Sequence, residues 1–115
     1  MFDQQLPSAV AWAPEDAERI LLAAHEDEVA TVRLLLATLD AKTRGTVFIE
    51  VGTAEDVVEL AAPPRFEVRF LVRDRGQELG RAVDAWCEEW LTYGECPAVY
   101  AWVAGRGPAR VLTAD

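Results

Sequence analysis

The chain has 115 residues, 51% of them hydrophobic, with 20 acids against 11 bases and a net charge of −9. That is one domain with enough apolar residues for a core. The charge balance, with Lys42 the sole lysine, excludes a nucleic-acid surface and adhesion to an anionic membrane, and no apolar run reaches the length of a membrane span.

Residues 1–18 carry Pro7 and Pro14 and read as an irregular N-terminal arm. They have neither the basic start nor the long apolar stretch of a secretory signal. Residues 19–115 read as the folded domain, beginning with a buried strand over Arg19–Ala24. His25-Glu26-Asp27-Glu28 leads into a helix whose apolar positions Val29, Val32, Leu35, Leu36 and Leu39 share one face. The acids stand in its first turn, where the helix dipole favours them.

Lys42–Gly45 is a turn, and the β-branched run Thr46–Val51 is a second strand. Gly52 ends it and Thr53 caps a short helical turn over 54–57. Pro63-Pro64 breaks the chain before a third strand, Phe66–Val72. Its alternation of apolar and charged residues predicts a sheet edge with one wet face. After the turn Arg73–Gly76, Leu79, Val83, Trp86 and Trp90 line one face of a second long helix that Gly94 stops. Ala98–Ala104 is a fourth strand, apolar throughout, and the tail after Gly105 is expected to hold one or two helical turns.

This alternation predicts an α/β fold of Rossmann-like type, three layers deep. Its sheet is mostly parallel and four-stranded, in the order 3-2-1-4. Ligands of such sheets bind at the carboxyl ends of the strands where the order reverses, here between the first and fourth strands. The rim of that crevice is expected to contain Ala24, His25, Glu26, Gly105 and Arg106.

Four stretches, in order, resemble the siderophore-interacting protein family. Ile20-Leu21-Leu22-Ala23-Ala24-His25-Glu26 is similar to the family's strand-to-helix turn. Thr43–Val51 matches its second strand almost residue for residue. Pro63–Arg73 resembles its third-strand region, and Tyr100-Ala101-Trp102-Val103-Ala104-Gly105 its fourth. The resemblance runs from about residue 11 to the C-terminus. It implies a ferredoxin-reductase-like domain, the half of a flavoreductase on which NAD(P)H docks to reduce FAD and, through it, a ferric siderophore. Fewer than 20 residues precede the first strand, so the family's flavin barrel is expected to be missing and the chain is not a complete flavoreductase on its own. No cofactor is expected to be held by the chain alone beyond weak NAD(P)H, with FAD reached only through a flavin-binding partner.

The nucleotide turn departs from the family pattern. Ala24 replaces a glycine that would let the backbone approach a phosphate, His25 an aspartate, and Asp27 a threonine. Three consecutive acids, Glu26 to Glu28, stand where a diphosphate would want neutral donors. The cofactor-binding candidates are Ala24, Glu26, Glu50, Arg73, Gly105 and Arg106. Glu50 reads either as an acid for ribose hydroxyls or as a solvated strand end. Arg73 and Arg106 read either as phosphate contacts or as ordinary surface arginines. His25 has no visible nucleophile or metal partner, and no catalytic residue or metal site is expected. Trp86 and Trp90 read as core or interface.

Two readings follow. One is a siderophore-interacting-type domain with weak or lost nucleotide binding, acting as an accessory or interaction module. The other is a working NAD(P)H-binding subunit of a two-chain ferric-siderophore reductase. Cys87 and Cys96 fit no zinc spacing and are read as reduced thiols of a cytoplasmic protein. A homodimer is expected that hides either the fourth strand, which falls at an open edge when nothing follows it, or the neighbouring helix face with Trp86 and Trp90. The competing expectation is that the N-terminal arm, with Phe2, Leu6 and Trp12, folds back over that edge and keeps the chain monomeric.

Overall fold

The computed structural model describes residues 19–93, 98–105 and 110–113. Five strands form one sheet in the order β3-β2-β1-β4-β5: β1 Arg19–His25, β2 Gly45–Val51, β3 Phe66–Val72, β4 Ala98–Val103 and β5 Arg110–Thr113. The first four are mutually parallel, in the anticipated order 3-2-1-4. Helix α1, Val29–Ala37, lies between β1 and β2 in sequence, and α2, Leu79–Cys87, between β3 and β4. Among the described residues no helix is long and apolar enough to cross a membrane.

Strand alternation divides the core into two layers. Ile20, Leu22 and Ala24 of β1 join Val47, Ile49 and Val51 of β2 beneath Val32, Leu35 and Leu36 of α1. Leu21 and Ala23, with Phe48, Val99 and Ala101, pack against Leu79, Val83 and Trp86 of α2 on the opposite face. The buried α2 positions recur at four and three residues, the spacing of one helical face. Trp86 also donates its indole N–H to Thr46 Oγ1 at 3.1 Å. That bond satisfies two polar groups which burial would otherwise penalise. Beyond α2 the chain continues as a π-helical turn, Glu88–Tyr93. It keeps Trp90 against the same core, under the Arg19 guanidinium at 3.9 Å.

Gly45, the first residue of β2, is fixed by close approach. A methyl there would fall on the Ile20 carbonyl oxygen and within 2.6 Å of the Phe66 ring. Thr53 begins the short turn Ala54–Asp56 as anticipated, with its backbone N–H donated to Asp56 Oδ2 at 3.1 Å.

The C-terminal tail corrects the sequence-based expectation. Instead of helical turns it forms β5, which pairs antiparallel with β4 from Ala98↔Thr113 to Ala101↔Arg110. The fourth strand is therefore not an open edge, and the argument for a dimer through it falls. The free backbone groups of β4 recruit the nearest extended segment, and Leu112 packs against the α2-side core. The arm 1–18, Gly94, Cys96 and Arg106 lie outside the described residues.

Candidate functional site

At the carboxyl end of the sheet, β1 delivers His25 and runs into the acidic turn Glu26–Glu28, while β3 runs into the turn Arg73–Arg75. Between them lies a cleft of about 350 Å³ lined by His25, Glu26, Asp27, Glu28 and Arg73. The cleft thus reaches across the end of β2 toward β3, rather than lying only at the β1–β4 boundary where the strand order reverses.

Glu50, next to last in β2, organises this end. In the parallel register it stands beside His25 on one side and Leu71 on the other. Like Thr46 and Phe48 it faces α2. Its Oε1 accepts the backbone N–H of Leu79, the first residue of α2, at 2.8 Å. The adjacent Glu78 makes no side-chain cap bond of its own, so Glu50 supplies from the sheet the acceptor that the helix start lacks. With only 10% of its side chain exposed, Glu50 also needs a counter-charge. Arg73 provides it, Nε to Oε2 at 3.2 Å, and His25 Nε2 stands 3.7 Å from the same oxygen.

The network continues outward. Arg73 Nη2 lies 3.7 Å from Glu26 Oε1, and Glu26 Oε2 accepts the Gly52 N–H at 3.4 Å. The Gly52 carbonyl in turn accepts the Asp74 N–H at 3.1 Å. These bonds tie the ends of β1, β2 and β3 together around one guanidinium. Gly76, at φ 78°, closes the Arg73 turn in the left-handed region, where a side chain would be strained. It lets Gln77 bond back to Val72, N–H to carbonyl at 3.2 Å and Oε1 to N–H at 2.8 Å.

Of the anticipated site residues, Glu26, Glu50 and Arg73 are brought into direct contact. Gly105 stands beyond β4 at the same end of the sheet, exposed and at φ 83°. Ala24 needs correction: it is wholly buried within the α1-side core. Its methyl, third in the series Ile20, Leu22, Ala24, points down between sheet and helix. It does not form the rim of the crevice or obstruct a ligand there. The α2-capping role of Glu50 was not anticipated. Its partner lies 29 residues away, and the one sequence signal is the absence of Ser, Thr, Asp or Asn at position 78.

Comparison with known proteins bears on this architecture. The family model for siderophore-interacting proteins matches residues 17–110. The chain belongs to that family. Three solved siderophore proteins share the fold. A siderophore utilization protein from T. fusca is 27% identical, with a TM-score of 0.60 over 80% of this chain and 34% of its own. The siderophore-interacting protein SipS from Aeromonas hydrophila is 17% identical, with a TM-score of 0.55 over 76% of this chain and 37% of its own. The siderophore-interacting protein from Acinetobacter baumannii is 14% identical, with a TM-score of 0.57 over 87% of this chain and 37% of its own. This siderophore-interacting domain therefore corresponds to about a third of the length of those relatives. No curated protein matches it.

Proposed function

We propose that this domain is an accessory or interaction module of the siderophore-interacting type, whose carboxyl-end crevice binds NAD(P)H weakly. The carrying observation is that Arg73, the cation lining the cleft, is shared between Glu50 and Glu26. A diphosphate entering the cleft meets Glu26, Asp27 and Glu28, while Arg73, the guanidinium lining it among the described residues, is already paired. At an effective dielectric of about 20, each acid roughly 8 Å from a phosphate repels it by about 2 kcal/mol before salt screening. Both oxygens of Glu50 are engaged, so ribose hydroxyls would have to displace existing partners. The residues present do not fit a dinucleotide well. Any flavin is expected to come through a partner protein, and no redox step is assigned to this chain's own side chains.

Calorimetric titration with NADH and NADPH tests this reading. The expected dissociation constant is no tighter than roughly millimolar, about −4 kcal/mol. Asp27→Thr together with Glu26→Gln removes two charges and loosens Arg73, and is expected to tighten binding several-fold. Ala24→Gly, changed inside the core, is expected to leave affinity where it is. A micromolar constant for the wild type overturns the proposal in favour of a working NAD(P)H-binding subunit.

A further inference from the structure

With β5 covering β4, the sheet's parallel side ends at β3. Backbone groups in a parallel sheet point alternately to the two neighbouring strands. At Val72 both point away from β2, since its N–H and carbonyl bond to Gln77. Phe66 shares that parity, and its N–H bonds outward to the Pro63 carbonyl at 3.0 Å. The turns before and after β3 thus cap its outer edge at both ends. By the same alternation the N–H and C=O of Val68 and Phe70 point outward, and among the described residues β3 has no strand partner on that side.

The side chains along this edge form an unusual pattern. Phe66-Glu67-Val68-Arg69-Phe70 reads the same in both directions, except that acid and base change places. We propose that β3 pairs antiparallel with β3 of a second copy of this chain, in a two-fold register centred on Val68. In that register Val68 faces Val68 of the second copy, each Phe66 faces a Phe70, and each Glu67 faces an Arg69. The two Val68 residues exchange both backbone bonds, and each Phe70 N–H reaches the other copy's Phe66 carbonyl. A two-fold interface uses the same patch twice, and this patch is complementary to itself in charge and in its order of apolar residues.

Charges on an edge strand ordinarily guard against pairing. Here Glu67 and Arg69 are exposed on the face of β3 away from α1 and pair within one chain at 2.8 Å. They repel any partner strand that sets like charges opposite one another, and accept the register that sets unlike charges opposite. Opposed cross-strand charges are favourable and like charges unfavourable, so the pattern selects one register and one orientation. Val57 and Val58, the large hydrophobic side chains left exposed among the described residues, lie on the segment leading into this strand.

Light scattering on the full chain over a range of concentrations is the test. The wild-type mass is expected to rise with concentration toward twice 12.7 kDa. Arg69→Glu sets two glutamates opposite each other twice over, and is expected to weaken association about tenfold or more. Glu67→Arg is expected to do the same. The swap Glu67→Arg with Arg69→Glu restores the pairing and is expected to return association to within about threefold of wild type. Circular dichroism checks that each variant is folded, and the swap supplies a second variant independent of either single change. A wild-type mass constant at one chain overturns the proposal, as do single variants that associate like wild type or a swap that fails to restore association. Nucleotide affinity plays no part in these outcomes.

Discussion

The two ends of the sheet are built on opposite principles. The amino end holds the larger hollow, about 530 Å³, lined mainly by Leu36, Ala37, Leu39, Ala61, Ala62 and the two prolines Pro63 and Pro64. The carboxyl end holds the smaller one, about 350 Å³, lined almost entirely by charged side chains. Size and apolar lining would choose the amino end as a ligand site. Topology chooses the other, because strands in such sheets present their functional residues at their carboxyl ends. Ionisable side chains from β1, β2 and the turn after β3 converge at the carboxyl end. At the amino end α1 finishes, and the chain before β3 is anchored to α1 by Arg33, whose Nη2 donates to the Glu59 carbonyl at 3.2 Å.

Substitutions at two positions should separate packing at one end from polarity at the other. Gly45→Ala is expected to be the more damaging. Its methyl collides with backbone, the Ile20 carbonyl oxygen, as well as with the Phe66 ring, so relief requires β1, β2 and β3 to part. A loss on the order of 3 kcal/mol is expected in urea unfolding, and a Gly45→Ala variant as stable as wild type would show that the amino end is not close-packed. At the carboxyl end, Glu50→Ala removes the acceptor of the Leu79 N–H and a partner of Arg73. The expected cost is about 2 kcal/mol, with little of it from the ion pair because Arg73 is 51% exposed and well screened. Glu50→Gln keeps an oxygen for Leu79 and is expected to recover more than half of that loss. Equal losses for both variants would transfer the effect to the ion pair.

The central architecture is readable because each parallel strand is six or seven residues long and rich in apolar residues. Phe66–Val72 falls where its alternating charges, the mark of one wet face, place it. The four-residue strand Arg110–Thr113 is not recognisable in the same way. Val111 and Leu112 between polar neighbours are too short a pattern to distinguish strand from helical turn, and its pairing is decided by the open edge of β4. At the site, Glu26, Glu50 and Arg73 are identifiable singly. Their convergence depends on the parallel register that brings the ends of β1, β2 and β3 level, which no local pattern encodes. The burial of Ala24 was legible: it continues the alternation of Ile20 and Leu22, and that alternation points its methyl at α1.

The smallest expected effect lies on the rim of the amino-end hollow and concerns pH. Asp40 accepts the Lys42 backbone N–H at 2.9 Å and the Thr43 hydroxyl at 3.2 Å through one oxygen. These bonds, the Lys42 N–H foremost and the Thr43 hydroxyl next, hold its carboxyl below the ordinary aspartate value of 3.8. A carboxylate favoured by the fold stabilises it above the unfolded-state value. That contribution begins to fade near 3.8 and is gone once the pH falls below the lowered folded value. Asp40→Asn keeps an oxygen for Lys42 but carries no charge to titrate. Unfolding curves should therefore show the wild type slightly more stable than the variant at a pH of about 7, with the difference closing as the pH falls through the acid range. Because the residue is exposed, the closing is expected to be small beside the Gly45 and Glu50 effects. A difference that does not shrink as the pH falls below 3.8 would assign the contribution of Asp40 to turn geometry and not to its charge.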